Sequence, residues 1–288
     1  MNGIAVAIVL SLAAGPLTAQ WIQYPTPGIP RTKDGKPNLT APAPKTPNGK
    51  PDLSGIWANA DNKYLQNLAA DGIEVPFQPW AEKLFKERSA NFGKGRPSER
   101  CLTHGVTDFD ALGINWKLLQ TPGTIAILYE AYNHYRQIFL DGRPLPKPSQ
   151  PAYMGYSVGK WEGDTLVVDT TGFNDLGWLD DSGHPQTESL HVTERFRLLD
   201  YEQAKAGLDQ DRKENFQVQQ DTIDRNYRGK HLQVHITVED EGAFTMPWTA
   251  TITYRPSVID WEEIACPENT REPAGKVSGV PRAETPDF

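Results

Sequence analysis

The chain has 288 residues, 29 Lys and Arg against 37 Asp and Glu, a formal charge of −8 and two cysteines. An acidic chain without a basic patch argues against nucleic acid as a partner. The sequence lacks C-x-x-C, H-E-x-x-H, an EF-hand loop, G-x-S-x-G, a P-loop and G-x-G-x-x-G, which removes the simplest zinc-hydrolase, calcium, serine-esterase and nucleotide assignments.

Residues 1–19 have the pattern of a secretory signal peptide: the apolar run Ile4 to Ala14, then Gly15-Pro16 and a small-residue site ending at Ala19. The run is too short to span a bilayer, and no membrane span is expected elsewhere. No Lys or Arg precedes it. Export places the mature chain in the periplasm or outside the cell. In an exported chain, a single pair of cysteines favours one disulfide, Cys101 to Cys266, over two buried thiols. A bridge over that separation adds on the order of 4–5 kcal/mol by the chain-entropy argument.

Residues 20–51 form a leader rich in Pro and Gly, with a near repeat in Thr32–Ala41 and Thr46–Gly55. Asp34-Gly35 and Asn48-Gly49 set turns, and the Lys-Pro steps extend the chain. This predicts a partly ordered strap. The rest, 52–288, reads as one β-rich domain. Leu53–Trp57 is a short strand and Gln78–Arg88 a helix with Pro79 at its first turn. Strands follow at Asn115–Gln120, Thr124–Tyr132, His134–Leu140, Tyr153–Lys160, Asp164–Thr171, Leu190–Leu198, Gln217–Arg225, Leu232–Glu239, Thr249–Arg255 and Ile259–Cys266. Tyr201–Glu214 is a polar helix or excursion. Regular short strands without a β-α-β rhythm predict an all-β fold, an antiparallel barrel or a sandwich.

Alternation divides the strands into faces. Leu190, Val192, Glu194 and Phe196 share one face, and His191, Thr193, Arg195 and Arg197 the other. Leu166, Val168 and Thr170 oppose Val167, Asp169 and Thr171. The sequence does not decide which face lines an interior. His191 beside Asp169 suits acid–base work, since imidazole titrates near neutral pH. Arg195 and Tyr129 are candidate orienting groups. Cross-strand ion pairing on a solvated face is the plain alternative for His191, Glu194 and Arg195. Among Tyr129, Glu130, Tyr132, His134 and Arg136, an inward Glu or Arg would orient a ligand. His104 reads as a loop histidine near the disulfide. The loop Gly172–Pro185 is long and aromatic, so Trp178, Asp175 and His184 are candidate ligand contacts, with Glu194 and Tyr156. Its carboxylates match no metal-ligand spacing, so no metal or cofactor is expected.

The segments Pro51–Trp57 (PDLSGIW), Arg100–Leu102, Phe139–Arg143, Gly159–Phe173 (GKWEGDTLVVDTTGF), Leu190–Phe196, Pro247–Thr249 and Cys266–Asn269 resemble a large uncharacterised family of exported bacterial proteins. The resemblance covers nearly all of the mature chain and implies export and one β-rich domain, with no agreed reaction. It also implies that a His often stands where this chain has Tyr156. Gly55-Ile56-Trp57 is separately similar to the Gly-x-Trp of lipocalin-like folds, which implies a lipocalin-like barrel over a sandwich.

These readings converge on an exported barrel with an internal or mouth site for a small molecule. The leading expectation is a lyase or isomerase acting on a lipophilic or aromatic compound through His191 and Asp169. A non-catalytic carrier of a hydrophobic ligand is the first alternative. The second is a carbohydrate-active protein with Trp178 as platform and Asp180 or Asp175 as acid.

Overall fold

The computed structural model describes residues 31–35, 38, 41, 45–59, 67–70, 72–147, 150–213, 224, 226–258 and 261. Nine strands close into a barrel in chain order: β1 (Gly55–Asn59), β2 (Trp116–Gln120), β3 (Thr124–Tyr129), β4 (His134–Phe139), β5 (Tyr156–Glu162), β6 (Thr165–Thr171), β7 (His191–Leu199), β8 (His231–Glu239) and β9 (Trp248–Pro256). The β1–β9 pair, Trp57 opposite Pro256 and Ala58 opposite Arg255, seals the sheet. Closure leaves no long edge to pair with other chains. The expectation of a β-barrel holds, with one departure from the antiparallel pattern. Strands β4 and β5 pair in parallel, Ile138 opposite Ser157 and Phe139 opposite Val158. The connection from β4 to β5 is therefore a crossover rather than a hairpin.

The expected strands Gln217–Arg225 and Ile259–Cys266 fall largely or wholly outside the described residues, as do the signal segment and much of the leader. Where the leader is described, it lies on the barrel: Lys50 Nζ donates to the Gly163 carbonyl (3.2 Å), and Gln120 Nε2 donates to that of Pro51 (3.0 Å).

Each strand buries the face that alternation groups as apolar. Leu166, Val168 and Thr170 on β6 are fully buried, as are Val192 and Glu194 on β7. On β8, Leu232, Val234, Ile236 and Val238 are buried likewise. Larger rings fill the interior: Trp116 meets Tyr254 edge to face at 5.0 Å, and Phe109 stacks on Tyr129 at 4.0 Å.

Among the described residues, three α-helices decorate the barrel. Helix α1 (Pro79–Ala90) begins at the expected proline. Helix α3 (Tyr201–Lys213) buries Ala204 and Leu208 against Leu199. Helix α2 (Val106–Ala111) is only six residues long, has no side-chain cap at Gly105, and buries every residue. So short a helix does not hold itself together; packing does. It is pinned by Thr107 Oγ1 donating to the Leu179 carbonyl (2.8 Å) and Tyr254 Oη donating to that of Asp110 (2.7 Å).

Gly155 shows how the crossover enters β5. Its φ is +55°, and a Cβ there would stand 2.6 Å from the Thr171 carbonyl oxygen. Gly163, in the β5–β6 turn, has φ +62° but open space around it. Gly155→Ala is expected to lower the unfolding free energy by about 1–3 kcal/mol more than Gly163→Ala does. Parallel urea titrations check this; equal losses would remove the close-approach argument.

Candidate functional site

The barrel interior holds a charged cluster. Arg136 projects inward from β4, on the face it shares with Ile138, and is 3% exposed. Its fork meets Glu194 on β7 through Nη1 to Oε1 (2.9 Å) and Nη2 to Oε2. Arg136 Nε donates to Ser157 Oγ (3.0 Å), and Nη2 also donates to Thr170 Oγ1 (2.8 Å). The two hydroxyls lie 3.0 Å apart. Strands β4, β5, β6 and β7 each supply one residue. Burial works against the guanidinium charge, but Glu194, Tyr129 and Asp110 together raise its pKa above the ordinary Arg value. This arrangement answers a buried charge with an opposite charge and hydrogen bonds, as it must.

Two further groups close on the pair. Tyr129, on β3, has a buried hydroxyl without a well-formed hydrogen bond among the described residues. Burial pushes that phenol far up, so it stays protonated. Asp110, on α2, is 4% exposed, and its Oδ2 has no partner among the described residues. Burial, and next the charge of Glu194, push its carboxyl well above the usual range; Arg136 opposes this. The interior therefore pairs a carboxylate held by Arg136 with a carboxyl group that favours its proton. A buried carboxyl group whose surroundings favour its acid form is a recurring participant in acid–base function.

The sequence-predicted residues divide between the two faces. Glu194 and Tyr129 belong to the interior cluster. His191 and Asp169 do come together, Nε2 to Oδ1 at 3.5 Å, but on the outer face, with His191 Nδ1 3.2 Å from Glu239 Oε2. The His191 side chain is 36% exposed. Arg195 is also outside, donating to Glu162 (2.8 Å). Strand alternation forces this: once Glu194 points inward, His191, Thr193 and Arg195 point out. The acid–base pair read from the sequence thus lies away from the interior.

The Gly172–Pro185 loop is a folded cap. Trp178 is 8% exposed and lies under the Arg88 guanidinium, 4.0 Å from the ring centroid. It presents no open platform for a sugar. Asp180 is fully buried and accepts from Leu68 N (2.7 Å), Ser182 Oγ (2.7 Å) and the His184 ring at Nδ1 (2.7 Å). Burial alone would raise its pKa; His184 and these donors overcome that and lower it. A carboxyl group so held is a structural hub and a poor proton donor. His184 stacks on Phe85 at 4.2 Å and is buried too. Asp175 is exposed. Tyr156, at the start of β5, is part-exposed and donates to the Gln150 carbonyl (3.0 Å). Cys101 takes a left-handed conformation, φ 54°, and its expected partner Cys266 lies outside the described residues.

The reading of the sequence did not single out Asp110, Ser157 and Thr170 as site residues, and it named Arg136 only conditionally. For Arg136, Ser157 and Thr170 the signal is a polar residue in register with the apolar face. Asp110 carries no such signal, since α2 is too short to show a period.

No family model matches the chain, and no curated protein matches it. A crystal structure of a point mutant of the fluorescent protein UnaG is similar over 71% of this chain and 95% of its own, at 11% identity and a TM-score of 0.28. A likeness at that level carries no weight for function.

Arg136→Met and Glu194→Leu are each expected to cost about 3–5 kcal/mol, because each strands a buried charge, while the double variant costs less than their sum. A double-mutant cycle in urea measures this; additivity would show the pair uncoupled. Asp110 adds a pH dependence of known sign. Its folded pKa lies above the ordinary 3.8, so its contribution to stability is complete below that value. The contribution is lost as pH rises through the folded pKa. Asp110→Asn removes this decline, as midpoints followed across pH will report.

Proposed function

We propose that the barrel takes up a small apolar or aromatic compound carrying one polar group, and acts on it by acid–base chemistry at the interior cluster. The observation that carries this reading is the buried Arg136–Glu194 ion pair, with the unpartnered Asp110 Oδ2 and the Tyr129 hydroxyl buried beside it. Apolar walls with a few convergent polar groups suit a small-molecule site. Asp110 gives a proton to the substrate's oxygen, and Glu194 accepts one from the substrate. The Arg136 fork and the Tyr129 hydroxyl steady the charge that develops between. The net proton count is unchanged, as an isomerisation requires. Entry needs α2 to lift, because Phe109 and Asp110 are buried on the interior side of that helix.

A carrier without catalysis is the second reading. It is favoured by the way Glu194 already answers Arg136, with walls that are otherwise largely apolar. Under both readings the chain is exported, residues 1–19 are removed, and Cys101 is bridged to Cys266.

Native mass spectrometry of the protein purified from the periplasm tests the proposal. The expected spectrum shows a retained small molecule, the loss of 1–19 and a closed cysteine pair. Wild type converts that molecule and Asp110→Asn binds it without converting it. Binding by both with conversion by neither would establish the carrier instead. Binding that survives Arg136→Met and Glu194→Leu together would place the ligand elsewhere.

A further inference from the structure

A second ionisable cluster gathers at the start of α2, where the His104 ring packs against Phe109 at 5.2 Å. His104 precedes the helix, Asp108 is in its first turn, and Asp181 comes from the Gly172–Pro185 loop. One ligand atom from each lies within 4.8 Å of the others. His104 and Asp108 are each 4% exposed. His104 Nδ1 and Asp108 Oδ2 share a short hydrogen bond. Asp108 Oδ1, however, has no hydrogen-bond partner among the described residues. A buried carboxylate oxygen left without a partner is costly, and natural proteins rarely leave one unanswered.

The geometry around the cluster is held from both sides. Thr107 Oγ1 ties α2 to the loop through Leu179. Gly93 lets the loop approach, since a Cβ there would stand 2.5 Å from the Asp181 carbonyl oxygen. The local charge is unbalanced: Arg96 reaches Asp181 only at 3.7 Å, and Asp180 adds its field to that of Asp181 at Asp108.

We propose that His104, Asp108 and Asp181 form a binding site for a divalent transition-metal ion of the Zn²⁺ or Mn²⁺ class. One imidazole nitrogen and two carboxylate oxygens suit such borderline ions, with ligand bonds near about 2.0–2.2 Å for zinc. A small inward movement brings donors at the observed spacing onto one ion. The ion takes the place of the hydrogen bond between His104 and Asp108, and the imidazole binds it as a neutral ligand with its remaining proton on the other ring nitrogen. It would also fasten α2 to the loop, and so bear on how readily the interior opens. This inference stands independently of the proposed chemistry inside the barrel.

Calorimetric titration of the mature protein with zinc chloride, repeated with manganese chloride, tests it. The expected result is one site per chain for at least one ion. The melting temperature will rise with free metal. Asp181→Asn changes a residue that is only part-buried, so it should fold, as circular dichroism checks. It should weaken binding by about 100-fold or more. His191→Gln, in the outer-face His191–Asp169–Glu239 group, should leave binding unchanged. Failure of wild type to take up either ion would overturn the assignment. So would binding that survives Asp181→Asn, or that is lost in His191→Gln.

Discussion

A carboxylate stands at the centre of this barrel, and Arg136 is what allows it to be there. Glu194 is fully buried on β7 between Val192 and Phe196, where an unpaired charge would be far more costly than any single packing contact gains. The Arg136 fork, with Ser157 and Thr170 completing its hydrogen bonds, turns that cost into a fixed geometry joining β4, β5, β6 and β7. Those four strands include the parallel β4–β5 pair, whose register rests on two residue pairs, Ile138 with Ser157 and Phe139 with Val158. The ion pair spans that seam. A buried ion pair seldom adds net stability over an apolar replacement, so its value here is in placement.

Much else depends on that placement. Burial, and then the nearby Arg136-bound Glu194, push the Asp110 carboxyl toward its protonated form, and it arrives on a helix too short to stand alone. Helix α2 therefore has two faces with different chemistry. Phe109 and Asp110 meet the barrel interior, while His104 and Asp108 meet the cap loop. The loop is rigid in its own right: Asp180 gathers backbone and side-chain donors, and His184 is stacked among Phe77, Phe85 and Trp248. One short helix thus contributes to both a charged interior and a buried His–Asp cluster.

The barrel was legible from the sequence because strand alternation is a strong signal when one face is wholly buried. Leu190-x-Val192-x-Glu194-x-Phe196 and Leu166-x-Val168-x-Thr170 gave the right faces. The same pattern set Glu194 among apolar residues, but left open whether that face was the interior or a solvated one. What misled was function by residue type: His191 and Asp169 do pair, but on the solvated side, where such pairs are ordinary. The parallel β4–β5 pairing was not legible, since a crossover reads like a long hairpin loop. Asp110, Asp108 and His104 were hidden for another reason. Their roles arise from tertiary contacts with β7 and the cap loop, and a six-residue helix shows no periodicity to announce them.

The central claim is that burial, and then the Arg136-bound Glu194, drive the Asp110 carboxyl to favour its proton. Infrared difference spectroscopy reads this directly, comparing the mature wild-type protein with Asp110→Asn. The account predicts a protonated-carboxyl C=O stretch in wild type near neutral pH that disappears in the variant, while the carboxylate bands stay the same. No such band in wild type would mean that both carboxyls are ionised, and the interior would then lack the proton donor on which the proposed chemistry rests.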